Sequence, residues 1–104
     1  MCFEECLREE GYDVHAAEHG LTAKKLLQSG LRPSVILVDL TMPVRSGYEL
    51  LEHLRRHPEW KEIRVVLLSA HGGNRRELEG VFRSLRKPAE FEPLREAIEL
   101  AIAA

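Results

Sequence analysis

Two kinds of apolar spacing alternate along this chain. Val35–Val38 is an unbroken aliphatic run closing on Asp39, and Val65–Leu68 is a second one closing on Ser69 and Ala70. Short apolar runs without a polar interruption predict strands buried on both faces, the state of central strands in a parallel sheet. Between and around them the spacing turns helical. Phe3, Cys6 and Leu7 form a stripe in residues 1–10, with Gly11 where a helix C-cap belongs. A second helix runs from Thr22 to Gln28, closed by Gly30 and Pro33. Ser46 is placed to cap a third, with Glu49 completing a capping-box pattern; Leu50, Leu51 and Leu54 form its apolar face, and Pro58 lies beyond its end. The last, over about residues 90–103, puts Leu94, Ile98 and Ile102 on one side. Weaker signals mark a short strand at Tyr12–Ala16, a polar helix at 74–81 after the Gly72-Gly73 loop, and a strand at Ser84–Arg86 leading into Lys87-Pro88.

Strands alternating with helices predict βαβ units and an α/β fold: a parallel sheet, doubly wound, between two helical layers. Composition narrows the functional classes. With 104 residues the chain makes one domain, large enough to bury roughly 65% of its unfolded surface. Fifteen basic against 17 acidic residues leave no basic footprint for direct nucleic-acid binding. No apolar stretch reaches the roughly 20 residues of a membrane span. Glu4 and Glu5 stand where a secretory signal would carry bases, so a cytoplasmic location is expected. Cys2 and Cys6, four apart on one helix side, read as two buried free thiols.

The chemistry concentrates at strand ends. Asp39 closes a buried strand and enters Leu40-Thr41-Met42-Pro43, with Gly47 after it. Open α/β sheets place their reactive groups at such carboxyl ends. A small hydroxyl residue, Ser69, ends the next strand, and the pair Lys87-Pro88 ends the last. Each feature alone is an ordinary turn or surface residue; the three in this order are distinctive. The chain in this respect resembles the receiver domain of bacterial two-component response regulators, a flavodoxin-like, chemotaxis-regulator-like fold, and the likeness runs from Glu9-Glu10-Gly11-Tyr12 to the final helix.

The resemblance implies roles. Asp39 would be the phosphoacceptor, and with the backbone carbonyl of Thr41 would hold Mg²⁺. Ser69 and Lys87 would bind the phosphoryl group, with Met42, Ala70, His71 and Pro88 on the rim. The Lys87-Pro88 bond is commonly cis in the family. A histidine kinase or phosphotransfer protein would be the donor, and an unknown downstream protein the receiver of the signal.

The sequence departs from the family in four ways. Receivers open with a strand ending in two adjacent acids that help hold Mg²⁺, whereas this sequence opens inside the following helix. It is therefore read as a single receiver domain, residues 1–104, incomplete at its N-terminus and lacking its first strand. Mg²⁺ prefers six hard oxygens, so its affinity should fall. The gap has three solutions: residues 12–16 sliding over to pair with 35–39, a homodimer through the open sheet edge, or a polypeptide extending upstream, the last being favoured. The aromatic residue usual three before the lysine is replaced by Ser84, unless Phe82 substitutes. The 69–87 segment is about one helical turn short.

His53 and His57 have metal-ligand spacing but read as part of an exposed polar face with Glu52, Arg55 and Arg56, while Trp60 and Ile63 pack at the end of the third helix. The expected function is a phosphoacceptor module of a phosphorelay, not a stand-alone enzyme. The alternative is a pseudo-receiver that serves as an interaction or dimerisation scaffold without phosphorylation. A haloacid-dehalogenase-like hydrolase would want a second acid where Thr41 stands.

Overall fold

In a computed structural model, the structure describes residues 3–17, 20–39, 44–69 and 80–104. The helices and strands follow one another as α1 (Phe3–Glu9), α2 (Gly20–Gln28), β1 (Val35–Asp39), α3 (Val44–Arg56), a single 3₁₀ turn (Pro58–Trp60), β2 (Arg64–Ser69), β3 (Arg83–Arg86) and α4 (Phe91–Ala103). The strands form one sheet in the order β1-β2-β3, and both pairings are parallel. Parallel pairing carries a direct consequence. Every strand ends at the same edge, so Asp39, Ser69 and the residue after Arg86 share one rim.

The period of two along the strands divides the core between two layers. Ile36 and Val38 of β1 and Val65 and Leu67 of β2 pack with Leu27 of α2 and Leu50, Leu51 and Leu54 of α3. Val35, Leu37 and Val66 turn the other way, onto Leu7 of α1 and Leu94, Ala97, Ile98 and Ala101 of α4. The result is the expected three-layer α/β arrangement, flavodoxin-like and open-sheeted. Val66, Leu67 and Leu94 are wholly buried, each burial worth about 1.5–3 kcal/mol.

Two helix ends follow from glycine. Gly11 has φ +96°; Tyr12 N donates to Leu7 O at 3.2 Å and Gly11 N to Arg8 O at 3.0 Å. Gly30, with φ +110°, repeats the pattern through Leu31 N to Leu26 O. Both are the left-handed helix stops that only glycine adopts without strain.

Several sequence expectations are corrected. Residues 12–16 do not form a strand. Tyr12 and Val14 do alternate onto the α1–α4 core, and Arg8 Nη2 donates to Val14 O at 3.2 Å. Among the described residues the segment nevertheless has no strand to pair with: it and β1 both line a cavity of about 310 Å³. It has therefore not slid over onto residues 35–39. Helix α3 begins at Val44, so Ser46 sits inside its first turn rather than capping it. On α4, Ile102 is 45% exposed, and Ala97 and Ala101 take the buried positions instead. Cys6 is a free thiol but only half-buried. Cys2 and nearly all of the expected 74–81 helix lie outside the described residues.

Candidate functional site

The site is built from three strand ends. Asp39 is the last residue of β1, where the apolar run gives out and the carboxylate emerges. Ser69 is the last residue of β2 and is held in register opposite Arg86 of β3. Lys87 follows β3 directly, its N–H donating to Ser69 O at 2.9 Å, which extends the ladder by one residue past the strand. The Lys87-Pro88 peptide is cis, as expected.

Lys87 Nζ donates to Asp39 Oδ2 at 2.7 Å. The two side chains are 32% and 42% exposed, so the pair sits at the rim and not within the core. Ser69 is different: it is 5% exposed, and its Oγ has no hydrogen-bond partner among the described residues. A buried hydroxyl without a partner forgoes about 1–3 kcal/mol. At the same strand-end rim as a carboxylate and an ammonium, such a hydroxyl could donate to a ligand oxygen. Together the three can attract an anionic oxygen-rich group, offer it one carboxylate nucleophile, and hold it with a cation and a hydroxyl.

The remaining expected site residues, Thr41, Met42, Ala70 and His71, lie outside the described residues. For Mg²⁺ the fit is incomplete. Among the described residues no group of three or more His, Cys, Asp or Glu is placed to hold a metal. Asp39 supplies the one strand-end carboxylate, and Lys87 already occupies one of its oxygens. That falls well short of six hard oxygens.

Away from the rim, the structure shows a cluster that sequence reasoning misjudged. His53 and His57 are not simply an exposed polar face. Their ring centroids lie 4.1 Å apart, and both rings pack at a tilt against buried Trp60, at 4.6 and 4.9 Å. His57 Nδ1 and His53 O are 2.8 Å apart, and neither His53 Nε2 nor Trp60 Nε1 has a partner among the described residues. His53 lies on α3, His57 just past its end and Trp60 in the 3₁₀ turn, so the cluster is made by the chain folding back and no single helical period announced it. Burial, reinforced by His57 and Lys24 and opposed by Glu59, holds the His53 pKa below its ordinary value. Trp60 and Ile63 pack as expected. No helix among the described residues is long and apolar enough to cross a membrane.

Comparisons with known proteins agree with this geometry. The family described as the response regulator receiver domain matches residues 1–99. The chain is 30% identical over 97 residues to chemotaxis protein CheY1 of Helicobacter pylori, covering 88% of this chain and 78% of that one. It is 29% identical over 104 residues to sporulation initiation phosphotransferase F of Bacillus subtilis, covering 95% and 81%. Among solved structures, chemotaxis response regulator CheY4 of Vibrio cholerae superposes with a TM-score of 0.81 at 26% identity, covering 95% and 85%. The receiver domain of sensor histidine kinase PA1611 of Pseudomonas aeruginosa, solved with magnesium in its active-site cleft, gives 0.82 at 26% identity, covering 97% and 85%. With the family matched over almost its whole length and an acid, a hydroxyl and a lysine gathered on one rim, this chain belongs to the response regulator receiver domains of two-component signalling.

Proposed function

We propose that Asp39 accepts a phosphoryl group from a histidine kinase or a phosphotransfer protein and that the modified rim alters a partner-binding surface. In that step an Asp39 carboxylate oxygen bonds to phosphorus while the P–N bond of the donor phosphohistidine breaks. The imidazole leaves with the electron pair and takes up a proton. The product carries about −1.5 to −2 charge. Lys87 then exchanges its carboxylate partner for a phosphoryl oxygen, and the Ser69 hydroxyl gains the acceptor it lacks. The observation that carries this reading is the 2.7 Å contact between Lys87 and Asp39 beside the unpartnered hydroxyl of Ser69.

A second reading, a receiver fold used as an interaction module without phosphorylation, is favoured by the lack, among the described residues, of three or more His, Cys, Asp or Glu placed to hold a metal. Mg²⁺ enters here as an expectation from family membership, with Asp39 and the Thr41 carbonyl as its candidate holders, and no step above depends on it. Incubating the chain with phosphoramidate, with and without Mg²⁺, and weighing the intact protein separates the two. The first reading expects a one-phosphoryl mass gain that hydroxylamine removes and that Asp39→Asn lacks. Absence of that gain under both conditions would leave the interaction module.

A further inference from the structure

We propose that the corner where α3 turns into β2 is a proton-operated latch: one proton on His53 releases Trp60 from the α2–α3 layer while the sheet stays folded. The corner precedes β2, so it lies at the sheet edge opposite the Asp39 rim. The inference is independent of whether Asp39 is phosphorylated.

Three observations carry it. First, Trp60 belongs to the same core cluster as Leu27, Leu50 and Leu54, and the rings of His53 and His57 both pack against it. Second, a proton acts differently on the two imidazoles. A carbonyl oxygen only accepts, so His57 Nδ1 carries the hydrogen in its 2.8 Å contact with His53 O. A further proton on His57 goes to Nε2 and leaves that bond intact. His53 Nε2, by contrast, is buried without a partner among the described residues, and so is Trp60 Nε1, which can only donate. Protonated His53 would therefore bury a charged N–H donor with no acceptor among the described residues. Third, the backbone of the corner is held by isolated turns. Trp60 N donates to His57 O at 3.1 Å, and Lys61 N to Pro58 O and Ile63 N to Trp60 O at 3.2 Å each. Pairing with the β1 side begins only at Arg64 N, which donates to Ser34 O. The corner can open locally without parting β1 from β2.

The surrounding charges set the direction. Lys24 of α2 and Arg56 of α3 line one groove with both histidines, as do Glu49 and Glu52. Glu52 is drawn to Arg55 at 3.2 Å and Arg56 at 3.9 Å. Glu59 stands in the 3₁₀ turn, β2 opens with Arg64, and β1 carries its one charge, Asp39, at the opposite end. Burial, then His57 and Lys24, outweigh Glu59 and hold His53 below its ordinary value. The attraction of an imidazolium for the Trp60 face works against release.

Amide hydrogen exchange from pH 7 to pH 5, corrected for intrinsic rates, reads the opening constant residue by residue. Trp60 is the chain's one tryptophan, so acrylamide quenching of its fluorescence reads the same event. Below about pH 6.5 the opening constant at Trp60 and Ile63 should rise by up to about tenfold per pH unit, the limit for one proton. Dilute urea should leave that opening nearly unchanged, because little surface is exposed, while exchange at Val66 and Leu67 should follow global unfolding and its steep urea dependence. His53→Phe should abolish the pH slope at Trp60. Lys24→Gln, which removes a repelling charge from α2, should lessen it, and it carries the test if the first variant does not fold. Four results would overturn the proposal. They are no slope in the wild type, an undiminished slope in either variant, a urea dependence at Trp60 equal to that at Val66, or tighter protection of Trp60 on acidification. The last would mean that the imidazolium holds the indole instead of releasing it.

Discussion

Lys87 Nζ reaches Asp39 Oδ2 at 2.7 Å from two strands away, 48 residues along the chain, passing over the end of β2. Strands sit about 4.8 Å apart, so this crossing spans nearly 10 Å at the backbone. A lysine stem reaches that far; a shorter cationic arm would not. Ser69 ends the strand between them. On the proposed reading, phosphate chemistry on Asp39 would act on β3 through Lys87 and on β2 through Ser69.

The ion pair should matter more for chemistry than for folding. Its side chains are 32% and 42% exposed, and solvent-screened pairs of this kind contribute about 0–1 kcal/mol. Lys87→Met should leave the urea midpoint almost unchanged. Phosphoryl uptake from phosphoramidate should fall about 10²–10³-fold, the usual effect of deleting one charge-stabilising donor. A large loss of stability with uptake intact would contradict the assignment.

Ser69→Ala separates the same two roles in the opposite sense. The hydroxyl is buried without a partner among the described residues, so removing it should stabilise the chain or leave it unchanged. Phosphorylated protein should nevertheless lose the chemical-shift changes that Asp39 modification sends into β2. A destabilisation of more than about 1 kcal/mol would mean that the hydroxyl already has a structural partner.

Much of this was legible because the relevant signals are local. β1 was bounded correctly at Val35–Asp39, since an apolar run ending in a carboxylate and a turn leaves little choice. Parallel pairing then placed Asp39, Ser69 and Lys87 on one rim without further assumption. The failures come from tertiary context. Residues 12–16 carry a strand pattern, and Tyr12 and Val14 do face a core, but side-chain alternation cannot supply a backbone neighbour. Ile102 obeys the helical period yet is 45% exposed, while Ala97 and Ala101 turn to the core in its place. His53 and His57 looked polar by type; only Trp60 folding back over α3 shows that they are half-buried.

Leu67 tests which layer limits stability. It is wholly buried at the centre of β2 and faces α2 and α3. Leu67→Ala should cost about 2–5 kcal/mol, because transfer and cavity losses add. Against a typical total of about 5–15 kcal/mol, that brings the chain close to unfolding at room temperature. Leu67→Met, similar in volume, should cost under about 1.5 kcal/mol. Equal midpoints in urea for the alanine variant and the wild type would show that the α2–α3 layer is not packed as described.

Acid sensitivity should reside at the corner between α3 and the 3₁₀ turn. His53 is held below its ordinary value of 6.5, first by burial against Trp60 and then by His57 and Lys24, with Glu59 opposing. The unfolded chain therefore binds the His53 proton more readily than the folded one. By linkage, the stability from neutral His53 is complete above about pH 6.5 and is lost as pH falls toward the lower folded value. His53→Phe keeps an aromatic ring against Trp60 while removing the proton site. Its urea midpoint should hold up better than the wild-type midpoint between pH 7 and pH 5, whatever other groups titrate there. If the two proteins lose stability in parallel over that interval, neutral His53 is not what holds this corner.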